Sequence, residues 1–188
     1  MSYYHASPTG GITQLKPNIS NHGIPLIYFS LKRENVLVYL SNAVEKYCKE
    51  IGFKYGGVWE KWGPYGFDAN GIMRIEEYYP NALTETYKGV SGFIYSVDSV
   101  TDSGFETHIP NAATSNIPVD VSGVEFIPDA YEAIIQAEKA GLLSITRYED
   151  LTDKKKEWIK RTVSEEYDRA EDHPEYRYFL KGKFTSVL

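Results

Sequence analysis

The sequence predicts a single α+β domain in which strands outnumber helices. Runs of aromatic and β-branched residues, separated by glycine and proline turns, recur through the 188-residue chain and are typical of strands. Apolar residues recur at spacings of three and four in an early segment and again near the C-terminus, as in helices. These segments do not alternate regularly, which argues against a doubly wound parallel sheet.

The predicted strands begin and end at turn residues. Leu26–Ser30 (LIYFS) follows a turn that contains Gly23, and Ile72–Tyr79 ends at Pro80. Gly92–Val97 (GFIYSV) is apolar almost throughout. Taken in chain order, strands are expected at residues 3–5, 26–30, 53–62, 72–79, 92–97, 117–121, 124–127 and 142–147.

The predicted helices have apolar stripes and suitable end residues. Gly52 ends the first helix and Gly141 ends the third. Asn81 and Thr152 are candidate N-caps for the second and fourth helices. Taken in order, helices are expected at residues 34–50, 81–88, 129–140 and 152–170. We expect residues 1–147 to form the α+β domain and residues 148–188 to form a helical extension packed on it.

Composition limits the classes of function. The net charge of −6 argues against nucleic acid as a partner, because phosphate contacts need a positive surface. A lone cysteine, Cys48, excludes an internal disulfide, and the histidines (His22, His108 and His173 among them) lack paired ligand spacing, so no metal site is expected. We find no signal peptide and no apolar run near ~18 residues, which predicts a soluble, cytoplasmic protein without a membrane partner.

The segment Tyr4-His5-Ala6-Ser7 resembles the His-Gly-Ser or His-Gly-Thr motif of one group of ADP-ribosyltransferases. This histidine-tyrosine-glutamate group includes the poly-ADP-ribose polymerases, the diphtheria-like toxins and the small rifampin ADP-ribosyltransferases. The resemblance implies that His5 bonds a ribose hydroxyl of NAD and that the backbone N–H and C=O of Ala6 hold the nicotinamide amide. Ser7 would belong to the same site. Ala6 replaces the usual glycine, so its methyl group is expected to crowd the site.

A second segment, Ile27-Tyr28-Phe29-Ser30, is similar to the family's IYF-type strand. In that family, a tyrosine on the following helix stacks on nicotinamide. Tyr39 lies 11 positions after Tyr28, as in the polymerases, which implies this stacking role for Tyr39 and places Tyr28 and Ser30 in the same site. A family serine would fall at Val36, so that contact is absent.

A third set of segments resembles the rifampin enzymes: Gly92–Asp98, Phe105 and Pro118–Asp129. Together the resemblances imply a split antiparallel β-sheet core with flanking and C-terminal helices. The family's catalytic glutamate would fall near Asn116, within a stretch (TSNI) that has no carboxylate. Asp120 and Glu125 are nearby in the sequence, but no catalytic residue is assigned.

Several functions therefore stay open. The resemblance implies NAD as a substrate and transfer of ADP-ribose to an acceptor that the sequence does not identify. The alternative is a catalytically weak or inactive nucleotide-binding or protein-interaction module on the same fold. A contact surface built from the 16 tyrosines is a third reading. The RNA 2′-phosphotransferases share the fold, but the basic residues that they need are not evident here.

Ordinary structural roles are the alternatives to these functional roles. His5 is equally consistent with a polar residue at a strand end, and Tyr39 with ordinary core packing. Arg74, Glu76 and Glu77 are expected to form a solvated strand edge, because adjacent strand residues point in opposite directions.

Overall fold

The computed structural model describes residues 2–19 and 23–188, so the predicted turn residue Asn21 and the histidine His22 lie outside the described residues. The described residues form a mixed α+β structure, which confirms the predicted class. Within these ranges, no helix is long and apolar enough to cross a membrane.

The strands are short, and among the described residues all but one of their pairings are antiparallel. Their bounds are β1 Tyr3–Ser7, β2 Gln14–Leu15, β3 Asn18–Ile19, β4 Pro25–Ser30, β5 Tyr65–Phe67, β6 Met73–Glu76, β7 Gly92–Val97, β8 Ala112–Ser115, β9 Val119–Asp120, β10 Gly123–Ile127 and β11 Leu143–Thr146. The exception is β6 with β11, which is parallel.

The helices comprise α-helices and two 3-10 helices within the described ranges. The 3-10 helices are Arg33–Leu40 and Tyr148–Asp150. The α-helices are α1 Ala43–Glu50, α2 Ala82–Tyr87, α3 Ala130–Lys139, α4 Asp153–Arg169 and α5 Pro174–Lys183.

The main sheet has the order β10-β7-β1-β4-β3, with β8 also paired to β4. Along β1, all five residues pair with β7. On its other side, β1 pairs with β4 at a single position, Tyr4 with Ser30, in the described part of the chain. One strand pair thus joins the two halves of the sheet, β10-β7-β1 and β4 with β8 and β3.

Side chains alternate along β1, so that its two faces meet different cores. Ala6 is buried with Val36, Leu37 and other residues of the Arg33–Leu40 helix. On the opposite face, Tyr3 of β1 packs against a separate apolar cluster that contains Phe29 of β4. The Arg33–Leu40 helix comes close to the sheet at Gly92, where an added Cβ would lie 2.6 Å from Leu40 Cδ2. Gly92 therefore allows the helix to pack tightly on β1 and β7.

The C-terminal helices form a third apolar cluster together with α1. Ile159 and Val163 of α4 and Phe179 of α5 are buried there with Val44. The segment that follows α1 contributes Trp62, whose ring lies 5.9 Å from that of Phe179. The helical extension therefore packs on the early part of the chain.

Two of the predicted elements differ from the structure. The single helix at 34–50 is two helices, because Ser41 and Asn42 are extended and the Asn42 side chain caps α1 by accepting the Val44 N–H. Residues 53–62, all of them described, contain no strand. This segment is held instead by contacts with distant residues: Glu60 is bonded to Asn42 and Glu175, and Trp62 packs against Phe179. The sequence pattern also missed β8 and α5.

Candidate functional site

His5 lies on β1 at the point where β1 and β4 stop pairing. Its Nδ1 atom is 2.9 Å from the backbone oxygen of Tyr28 on β4. A carbonyl oxygen only accepts hydrogen bonds, so Nδ1 carries the proton and donates. In the neutral ring the other nitrogen, Nε2, is then an acceptor.

The surroundings of His5 favour this neutral form. Burial lowers the pKa of His5, the bond to the Tyr28 carbonyl partly offsets this, and the nearby charge of Lys61 lowers the pKa further. At neutral pH the side chain therefore presents a lone pair on Nε2. Such an atom accepts a hydrogen bond from a hydroxyl group.

The backbone of β1 contributes further polar groups. In an antiparallel ladder, alternate residues direct their N–H and C=O to the same neighbour, so every second residue of β1 faces away from β7. Beyond the Tyr4–Ser30 pair, those groups face the β1–β4 gap, by which we mean the stretch where the two strands no longer pair. The Ala6 methyl group is buried in the core. Its side chain leaves the strand towards the Arg33–Leu40 helix, and the expectation that it crowds the site stays a prediction.

The two serines of the predicted site are engaged locally. Ser7 Oγ accepts the N–H of Thr9, 3.1 Å away, in the turn after β1. Ser30 is buried, and its Oγ accepts the N–H of Lys32 at 3.0 Å. Both hydroxyl groups shape the ends of their strands, and each retains a proton to donate.

Tyr39 lies near the end of the Arg33–Leu40 helix and is 42% exposed, which does not fit ordinary core packing. Its hydroxyl is 2.6 Å from that of Tyr65 on β5, and the two rings are perpendicular, with centroids 6.1 Å apart. Burial of its hydroxyl end, followed by the effects of Tyr65, raises the pKa of Tyr39, which stays protonated. The polar end is fixed while part of the ring stays accessible.

Tyr28 lies between the two predicted contacts. Its carbonyl holds His5, and its phenol is close enough to add to the raised pKa of Tyr39. His5 leaves β1 on the Phe29 side, with ring centroids 6.1 Å apart, whereas the helix of Tyr39 packs on the Ala6 side. No bond or ring contact joins His5 to Tyr39 in the described residues. Their convergence on one ligand stays a prediction.

The two candidate carboxylates, Asp120 and Glu125, already accept hydrogen bonds from other side chains of the protein. Both Glu125 oxygens bond Arg33, at 2.6 and 2.7 Å, and this bond lowers the pKa of Glu125. Asp120 accepts from Gln14 Nε2 at 2.8 Å. Asn116, the expected position of a catalytic glutamate, is exposed after β8. Within the described ranges, no group of three or more His, Cys, Asp or Glu side chains could hold a metal ion.

A cavity of about 630 Å³ lies near the start of β1. Tyr3 lines it, two residues before His5, together with Thr114 of β8 and the connecting segment that carries Phe105 and His108. Since Tyr3 and His5 share a strand face, the cavity opens on the same side of β1 as His5. Sequence reasoning gave no signal for this cavity, because its walls come from distant parts of the chain.

No family model matches the chain, and searches of curated proteins and of solved structures find no significant match.

Proposed function

We propose that this domain binds NAD, or a closely related nucleotide, in the gap between β1 and β4, on an ADP-ribosyltransferase-like split sheet. The observation that carries the proposal is the hydrogen bond from His5 to the Tyr28 carbonyl at the point where the two strands separate. That bond fixes Nε2 as an acceptor, which is what a ribose hydroxyl requires of its partner.

The remaining groups fit the other parts of the ligand. A nicotinamide carboxamide needs one donor and one acceptor side by side, and the outward N–H and C=O groups of β1 near Ala6 supply such a pair. The accessible part of the Tyr39 ring offers an aromatic face for nicotinamide, with its hydroxyl held by Tyr65. The ligand would have to span from the His5 side of the gap to the Tyr39 side.

This site predicts weak catalysis. In ADP-ribosyl transfer the bond from ribose C1′ to nicotinamide breaks, its electron pair leaves with nicotinamide, and an acceptor atom bonds to C1′. A carboxylate would stabilise the positive charge that develops on the ribose, and loss of one such preorganised group typically costs about 2.7–4 kcal/mol. Asn116 is neutral, and Glu125 is bonded to Arg33. A nucleotide-binding module with slow or no turnover is therefore favoured over an efficient transferase.

The ribose contact is tested by NMR of protein labelled with nitrogen-15 in its histidines. We expect NAD to shift the Nε2 resonance of His5 while Nδ1 stays protonated. Nicotinamide release is followed in parallel, and we expect it to be well below roughly 1 per second, a typical lower value for enzymes. NAD that leaves the His5 resonances unchanged at millimolar concentration would rule out the proposed site.

A further inference from the structure

The cavity of about 630 Å³ near the start of β1 is separate from the proposed nucleotide site. Among the described residues, none of those proposed to contact the nucleotide lines it. Its lining residues come from β1, from β8 and from the segment 98–111 that joins β7 to β8, which we call the β7–β8 connection. The volume falls within the range of about 300–1,000 Å³ that is typical of small-molecule sites.

The β7–β8 connection is anchored to the sheet, although it contains no helix or strand. The backbone N–H of Ser103 donates to the carbonyl oxygen of Thr114 at 3.0 Å, and the hydroxyl oxygens of these two residues are 2.6 Å apart. Thr114 lies on β8 and is buried. At the end of the connection, the carbonyl oxygen of Asn111 accepts the N–H of Leu31 at 2.8 Å. The wall that the connection contributes to the cavity is therefore fixed near both ends.

Part of the cavity wall is apolar and aromatic. Tyr3, Val100 and Ala113 line the cavity and also pack against the apolar cluster that contains Phe29. Phe105 adds a second aromatic ring to the lining. A ligand with a flat apolar body would bury that body against these residues.

The rest of the lining carries negative charge, which is supplied by Asp102 and Glu106. Both residues are exposed, and neither forms an ion pair within the ranges 2–19 and 23–188. Oδ1 of Asp102 accepts the N–H of Gly104 at 3.0 Å, which orients this carboxylate. The described lining contains no lysine or arginine. An anionic ligand would therefore be repelled here, whereas a cation would gain charge-assisted hydrogen bonds.

We propose that this cavity binds a small organic cation, with an ammonium or guanidinium group attached to a flat apolar body. The cationic group bonds the carboxylates of Asp102 and Glu106, and the apolar body packs against the rings of Tyr3 and Phe105. Aromatic faces attract cations, so the same rings favour a cation over a neutral ligand of equal shape. This binding does not depend on a nucleotide in the β1–β4 gap.

The sign of the ligand charge is tested with indoles that share one ring system: tryptamine is a cation at neutral pH, tryptophol is neutral and indole-3-propionate is an anion. Binding is measured by calorimetry, and nitrogen-15 NMR locates the ligand through the backbone amides of residues 102–109. We expect tryptamine to bind at least about tenfold more tightly than tryptophol, because hydrogen bonds to charged groups are the stronger ones. Indole-3-propionate should not bind, and tryptamine should shift the amides of residues 102–109.

Glu106→Gln is the principal variant, because it removes one charge from an exposed residue of the lining. It should weaken tryptamine binding several-fold and should leave tryptophol binding unchanged. Glu132→Gln is the matched control, because it removes the same charge from an exposed residue of α3 that does not line the cavity. Phe105→Leu keeps an apolar side chain but removes the ring, and it should also weaken tryptamine binding.

Several results would overturn the inference. Equal Kd values for tryptamine and tryptophol would show that the cavity does not select a cation. Equal weakening in Glu106→Gln and Glu132→Gln would reduce the effect to general charge. Amide shifts at His5 instead of at residues 102–109 would place the ligand outside the cavity, and no heat of binding at millimolar tryptamine would exclude the site altogether.

Discussion

The imidazole of His5 donates a hydrogen bond through Nδ1 to the carbonyl oxygen of Tyr28, 2.9 Å away, beside the last residue pair that joins β1 to β4. This bond replaces backbone pairing between the two strands with a side-chain contact. It orients the ring and leaves Nε2 as an acceptor. The proposed ligand contact therefore depends on a structural hydrogen bond of the fold.

The neutral state of His5 predicts a pH dependence of stability. Burial lowers its pKa in the folded protein, so the folded state binds this proton less tightly than the unfolded chain, where the pKa is about 6.5. The free energy of unfolding should fall as the pH decreases below about 6.5 and should level off below the folded pKa. Urea titrations at several values between about pH 5 and 7.5 measure how the free energy of unfolding changes with pH.

His5→Gln is the control for that experiment, because it keeps a polar side chain that does not titrate. We expect this variant to lose the His5 part of the slope. An unchanged slope in His5→Gln would show that another group causes it.

Two variants of Tyr39 separate the contribution of ring stacking from that of the hydroxyl hydrogen bond. Tyr39→Phe keeps the ring but removes the bond to Tyr65, and a typical hydrogen bond contributes about 0.5–1.5 kcal/mol to stability. We expect Tyr39→Phe to lower the free energy of unfolding by about that amount and to retain NAD binding. Tyr39→Ala should lose NAD binding as well.

Tyr65→Phe is the matched control, because it breaks the same bond from the other side. If Tyr39→Ala binds NAD as well as Tyr65→Phe does, the ring of Tyr39 does not contact the ligand.

Glu77 is predicted to be a stability determinant. It is buried, and its carboxylate accepts the backbone N–H groups of Leu83 in α2, at 2.9 Å, and of Tyr148, at 3.3 Å. Each unsatisfied buried donor costs about 1–3 kcal/mol, and two donors lose their acceptor, so Glu77→Ala should destabilise the protein by roughly 2–6 kcal/mol. Exposed Glu132 is the control, and Glu132→Ala should stay within about 0.5 kcal/mol of the wild type. Equal unfolding midpoints for the two variants would contradict this role.

The sequence predicted the elements whose signals are local. The apolar run Leu26–Ser30 corresponds to β4, and the stripe at 152–170 corresponds to α4. The two early helices were predicted as one because the apolar spacing continues across Asn42, while the capping capacity of that asparagine was overlooked. Local periodicity and capping residues both have to be weighed at such a position.

Features that depend on distant residues could not be predicted. Glu77 was expected at a solvated edge, but it follows β6, which is covered by β5 on one side and β11 on the other. The path of the segment around Glu60 gave no sequence signal. Its position is set by bonds of the Glu60 backbone to Asn42 and to Glu175, which is 115 residues away. The motif residues His5 and Tyr39 were identified by resemblance, whereas the Tyr28 bond that orients His5 required the structure.

The central claim is that His5 contacts the ribose of a bound nucleotide, and NAD calorimetry on the wild type and His5→Ala tests it most directly. His108→Asn is the control, because it changes an exposed histidine and asparagine tolerates the positive φ of 53° at that position. We predict wild-type binding in the millimolar range or tighter, a several-fold weaker Kd in His5→Ala from the loss of a hydrogen bond of about 1 kcal/mol, and no change in His108→Asn. No heat of binding for the wild type at millimolar NAD, or an equal Kd for the wild type and His5→Ala, would contradict the claim.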